Sequence, residues 1–141
     1  HLGLNSRLDE IQAAALTVKL ADLDRQNAAR QAIAAYYGSH IDNPLIQTPY
    51  KGRTADSVFH IYPLMTGCRD ELHAYLAERG IQTLAHYPLP VHRQPAYAAM
   101  SRLSFPKAER AAACELSLPV GPTLTQEETA YIVESLNLFR K

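Results

Sequence analysis

Neither proline nor glycine interrupts residues 6–37, and that run constrains the fold more than any other feature of the chain. Ser6, with Asp9 three residues on, reads as a capping pair that opens a helix. Leu16, Leu20 and Leu23 recur at helical spacing, as do Ile11, Ala15 and Val18, and alanine stays frequent through Ala35. The pattern predicts one helix over residues 6–37, roughly 48 Å long at 1.5 Å per residue, with Gly38 as the first break. Such a length exceeds the usual span in a compact domain, so the helix bends, splits or projects toward another domain. The apolar face of its first half has few obvious partners elsewhere in the sequence.

The rest of the chain alternates short strands and helices. Residues 41–54 read as irregular, marked by Asn43-Pro44, Thr48-Pro49 and Lys51-Gly52. Residues 58–65 read as a strand in which Pro63 implies an edge or a bulge, since proline donates no ladder hydrogen bond. A helix beginning near Cys68 buries Leu72, Tyr75 and Leu76 and stops at Gly80. Residues 81–87 return as a second strand, and 115–119 as a third, ended by Pro119. Short helices are expected from Gln94 and from Phe105. Thr125-Gln126-Glu127-Glu128 is a capping box, opening a last helix with Tyr131, Ile132, Leu136 and Phe139 inward. The path from Met65 through one helix to Ile81 fits neighbouring strands of an α/β layer. The expected fold is α/β, with α+β character: a long first helix, then a small, mainly antiparallel sheet covered on one face by helices.

At 141 residues the chain is long enough for a real core. Its 14 basic and 14 acidic residues cancel, so no basic face suggests nucleic acid. No apolar run approaches the roughly 20 residues of a membrane span. His1-Leu2-Gly3 opens almost directly into a polar cap, without a legible signal peptide. Cys68 and Cys114 stand far apart and make neither a metal motif nor a disulfide framework, which fits a reducing cytoplasm.

Two segments carry chemistry. His86-Tyr87-Pro88-Leu89-Pro90-Val91-His92-Arg93-Gln94 is dense in polar and aromatic groups, and its two prolines make it a stiff, extended loop. Such loops commonly hold ligand contacts; alternatively Tyr87 is a core residue and His86 a satisfied polar group. The second segment is Gly3-Leu4-Asn5-Ser6-Arg7-Leu8-Asp9-Glu10-Ile11-Gln12-Ala13-Ala14. Asn5 and Arg7 sit at the mouth of the first helix, where free N–H groups and a partial positive charge suit an anion such as phosphate. The bland alternative makes Asn5 a cap and Arg7 a solvated side chain. His60, alternating with Tyr62 on one strand face, reads as a packed, hydrogen-bonded histidine. The spacing of His73, His86, His92 and Cys114 matches no zinc pattern, and no Gly-x-Ser-x-Gly supports a serine triad.

Together these segments resemble the DegT/DnrJ/EryC1/StrS sugar aminotransferases, over nearly the whole chain but only over the C-terminal part of such an enzyme. The resemblance implies a pyridoxal phosphate cofactor, a homodimer, a nucleotide-linked keto sugar as substrate and an amino donor, commonly glutamate. It implies that residues 1–40 link to an N-terminal large domain and that 41–141 form the small C-terminal domain. By resemblance Asn5 reaches the phosphate of the neighbouring subunit's cofactor, with Arg7 beside it. By resemblance, too, His86 and Tyr87 contact the substrate, while His92 and Gln94 fall in a more variable part of the pattern. Lys19, Lys51, Lys107 and Lys141 are the lysines present, and none lies in the loop that carries the family's Schiff-base lysine. The expectation is a chain without catalytic residues of its own. A non-catalytic ligand-binding or regulatory module, or a cofactor-binding relative that senses rather than transaminates, is the rival.

Overall fold

The computed structural model describes residues 8–48 and 57–141. The long first helix is split. α1 spans Glu10–Leu20 and α2 spans Leu23–His40. Asp9, rather than Ser6, caps α1, its carboxylate accepting from Gln12 N at 2.8 Å. The break falls at Asp22, which lies at φ −107°, ψ 2°, outside the helical well. Its carboxylate grips Arg25 through Nε at 2.6 Å and Nη2 at 2.7 Å, and also accepts from Gln26 Nε2 at 3.1 Å. None of these bonds reaches the backbone: Asp22 N closes on Lys19 O at 3.1 Å and Gln26 N on Asp22 O at 3.1 Å, so α1 ends in a tightened turn and α2 starts afresh without proline or glycine. The side-chain contacts, the Arg25 hydrogen bond foremost, hold the Asp22 carboxyl down at about 2.

α1 buries none of its residues. α2 buries Ile33, Ala34 and Tyr37, and packs on α5 (Gln126–Leu138). The Thr125–Glu128 capping box is present as expected, with both reciprocal hydrogen bonds made. Asn43, itself buried, locks the far end of α5 by donating to Leu136 O at 2.7 Å and Phe139 O at 3.0 Å. These are carbonyls that a helix end leaves without an internal partner.

The sheet is smaller than the sequence suggests. β1 (Tyr62–Met65) pairs antiparallel with β2 (Glu115–Leu118), Tyr62 opposite Leu118 and Met65 opposite Glu115. Gln47 adds one antiparallel bridge to Met65, and Leu84 one to Ser117. The spatial order is therefore Gln47, β1, β2, Leu84. Residues 81–87 form a single bridge rather than a strand. They lie beside β2, not β1, so the expected Met65-to-Ile81 neighbourhood is replaced by an interposed strand. Pro63 sits opposite Ser117, whose N–H and C=O both pair with Leu84 on its other side. It thus occupies a non-hydrogen-bonded pair, where its missing N–H costs nothing.

The strand expected from residue 58 begins only at Tyr62. Phe59 takes a positive φ of 48° and inserts its ring into the core at 1% exposure. That turn leaves His60 exposed, against the expectation of a packed histidine sharing a face with Tyr62. α3 (Arg69–Ala77) buries Leu72 and Leu76, and the chain turns away from it at Gly80, whose φ of 72° permits Ile81 N to close on Leu76 O at 2.9 Å. The core lies between the helices and one sheet face: Tyr37, Tyr62, Leu64, Leu72, Leu76, Leu116 and Leu136 are all nearly inaccessible. Each such leucine contributes about 1.5–3 kcal/mol by leaving water. The Tyr37 hydroxyl donates to Pro119 O at 2.8 Å, and burial pushes its ionisation up.

Candidate functional site

β2 alternates Glu115, Leu116, Ser117 and Leu118. Leu116 and Leu118 therefore face the core, and Glu115 and Ser117 share the opposite face. The Leu84–Ser117 bridge sets the register: two residues further along this antiparallel pair, His86 comes opposite Glu115. The contacts obey that register. His86 N donates to Glu115 Oε2 at 2.6 Å, and His86 Nδ1 lies 2.9 Å from Ser117 Oγ. Ser117 Oγ in turn donates to Glu115 Oε1. Glu115 and Ser117 are buried, while His86 is half-buried.

His86 forms part of the wall of an open cleft of about 840 Å³. Residues 80–84 and 117–120 line it, and Glu128 and Tyr131 of α5 form a further wall. His60 and His73 also line it, and His73 Nδ1 meets Thr83 Oγ1 at 2.6 Å. The wall mixes apolar groups such as Leu84 and Val120 with these polar ones, a surface suited to a ligand with both characters. Tyr87 is joined to His86 through a cis peptide bond. Its ring stands edge-on to the imidazole at 5.7 Å and is 75% exposed, so it is not a core residue. It lies beside the cleft rather than among its lining residues.

The loop after Tyr87 is not extended throughout. Val91–Arg93 and Pro95–Met100 form 3-10 turns, and the loop folds onto α4 (Pro106–Cys114). His92 is buried, with Nε2 3.0 Å from Glu109 Oε1 and its ring edge-on to Phe105 at 4.9 Å. Gln94 Nε2 donates to Leu89 O at 3.2 Å. Both are spent on the loop's own structure. The Phe105 N–H, with help from His92 and Arg93, holds the Glu109 carboxyl below its usual range. Asn5 and Arg7 lie outside the described residues. Among the described residues no cluster of His, Cys, Asp or Glu could hold a metal ion, and no helix is long and apolar enough to cross a membrane. Lys19, Lys107 and Lys141 do not line the cleft, so no described lysine there offers an amine to a carbonyl cofactor.

Of the two residues expected here, His86 lines the cleft and Tyr87 does not; Glu115, Ser117 and Thr83 were not singled out from the sequence, and His73 was weighed only as a metal ligand. The polar alternation of Glu115 and Ser117 within a short apolar strand was the available signal.

A sequence profile of the DegT/DnrJ/EryC1/StrS aminotransferase family matches residues 1–137. A dTDP-3-amino-3,6-dideoxy-alpha-D-galactopyranose transaminase from Aneurinibacillus thermoaerophilus is 44% identical over 97% of this chain and 38% of its own length. A protein named pleiotropic regulatory protein, from Geobacillus stearothermophilus, is 43% identical over 98% of this chain and 38% of its own. The crystal structure of DesV from S. venezuelae, in complex with a ketimine intermediate, superposes with a TM-score of 0.86 at 44% identity, covering 96% of this chain and 37% of DesV. The chain thus spans less than two fifths of the length of these relatives. With the profile, the identities and the antiparallel two-strand fold in agreement, the chain belongs to the DegT/DnrJ/EryC1/StrS aminotransferase family.

Proposed function

We propose that the chain is the C-terminal part of a pyridoxal-phosphate-dependent aminotransferase acting on a keto sugar carried by a nucleoside diphosphate. The observation that carries this reading is the placement of His86, anchored through both its backbone and its ring to β2 and forming part of the cleft wall. The names of the transaminase relatives support the substrate class. In this reading the cofactor supplies the electron sink and is held mainly by the large domain, where a lysine provides the covalent anchor. This chain's part is to bind and orient. His86 offers a ring nitrogen to a sugar oxygen, and Tyr87 offers an exposed ring and hydroxyl beside it. Asn5 and Arg7 reach the cofactor phosphate of the neighbouring subunit in a homodimer, as the family motif implies. Residues 1–40 serve as the link and 41–141 as the small domain; glutamate is the donor, and the setting is cytoplasmic. The chain alone does not transaminate.

Steady-state kinetics of the full-length protein, with sugar and amino donor varied separately, tests this. His86→Ala and Tyr87→Ala raise KM for the nucleotide sugar and leave the donor half-reaction nearly unchanged. Equal damage to both half-reactions would return the two residues to the fold or the cofactor. A regulatory reading has one specific support, the relative named a pleiotropic regulatory protein. A full-length protein that turns over no nucleotide keto sugar with any amino donor would favour it.

A further inference from the structure

Glu115 and Ser117 are buried polar groups that the proposed sugar contact does not itself use. Their hydrogen bonds run in one direction. An ionised carboxylate only accepts. Glu115 Oε2 takes the backbone N–H of His86, and Oε1 takes the hydroxyl proton of Ser117. A serine hydroxyl has a single proton, so Ser117 Oγ has none left to give the imidazole 2.9 Å away. The contact is made only if His86 Nδ1 carries the proton. Nε2 has no hydrogen bond among the described residues, and in the neutral ring it is the acceptor. His73 provides an internal contrast: its Nδ1 meets Thr83 Oγ1, but no carboxylate holds that hydroxyl, so either direction is open.

We infer that Glu115 and Ser117 are positioning residues that fix the His86 proton on Nδ1 and so present Nε2 as an acceptor for a hydroxyl of the bound sugar. The inference rests on His86 being a substrate contact, and it adds a polarity to that contact. A sugar that offers a hydroxyl at that position is held, and one that offers only a carbonyl oxygen there is not. The backbone bond to Glu115 Oε2 also ties the carboxylate to the strand position of His86.

The ring proton can be read directly. The full-length protein is labelled with 15N-histidine and examined at about pH 9, where an ordinary histidine is neutral. The His86 signals are identified by their loss in His86→Gln. The expected spectrum shows Nδ1 protonated and Nε2 bare. Ser117→Ala removes the acceptor, and Glu115→Gln lets the new amide donate to Ser117, turning the hydroxyl proton toward Nδ1. Both variants shift the His86 proton toward Nε2, and Ser117→Thr, which keeps the hydroxyl, restores the wild-type pattern. In the same proteins Ser117→Ala raises KM for the nucleotide sugar about fivefold, the scale of one neutral hydrogen bond, with kcat little changed. A wild-type ring protonated on Nε2, or a pattern that neither variant alters, overturns the inference even if His86→Gln still raises the sugar KM. Conversely, a ring held as expected together with an unchanged sugar KM in His86→Gln removes the substrate role and leaves only the hydrogen-bond direction.

Discussion

The two faces of β2 are equally hidden from water and built on opposite chemistry. Leu116 and Leu118 are 2% and 4% exposed on the core side, while Glu115 and Ser117 are 8% and 5% exposed on the other. The apolar pair is interchangeable in principle with other side chains of the same volume, because hydrophobic burial has no direction. The polar pair is not, since each buried donor and acceptor must keep its particular partner. One short strand thus carries the fold on one side and a specified hydrogen-bond geometry on the other.

The largest expected effect is on the core face. Leu116→Ala should cost about 2–5 kcal/mol, through lost transfer energy and the cavity left behind, read as a lowered denaturation midpoint. A loss below about 1 kcal/mol would show that the core face is not the stabilising side. On the polar face Glu115→Leu keeps the burial but leaves the His86 N–H without its acceptor and frees the Ser117 hydroxyl to turn to His86 Nδ1. The expected cost is about 1–3 kcal/mol, accompanied by a change at the cleft that Leu116→Ala does not produce. A neutral or stabilising Glu115→Leu would erase the distinction between the faces.

Acid tests the exposed ionic contacts instead. The backbone N–H and hydroxyl of Thr125 hold the Glu128 carboxyl below its usual range. A carboxyl lowered in the folded state stabilises above its unfolded value, near about 4.3 for glutamate, and that contribution disappears as pH falls through the folded value. The unfolding midpoint should therefore decline below about pH 4, and Glu128→Gln should flatten the decline. A slope unchanged by that substitution would place the acid sensitivity elsewhere. The smallest effect belongs to α1, whose Ile11 is 84% exposed. In the isolated chain Ile11→Ser should change stability by no more than about 0.5 kcal/mol. A larger loss would mean that α1 has a partner within this chain.

Local signals were legible wherever one turn of chain decides the outcome. The Thr125 capping box and the Gly80 stop are where the sequence puts them, because caps and left-handed turns depend on a few adjacent residues. The family motifs at residues 3–14 and 86–94 were legible for the same reason. The break at Asp22 was not, because it is a local departure in φ and ψ at one aspartate that neither a breaker residue nor the periodicity marks. The sequence by itself therefore determined the start of α5, the Leu72 and Leu76 face of α3, the inward Ile132, Leu136 and Phe139, and the family, whereas Tyr131, expected inward, is 47% exposed. Only the tertiary structure decided that residues 81–87 contribute one bridge rather than a strand, that Phe59 displaces His60 from the core, and that Glu115 lies opposite His86. Strand register joins residues about thirty positions apart, and no local pattern states which pair will meet.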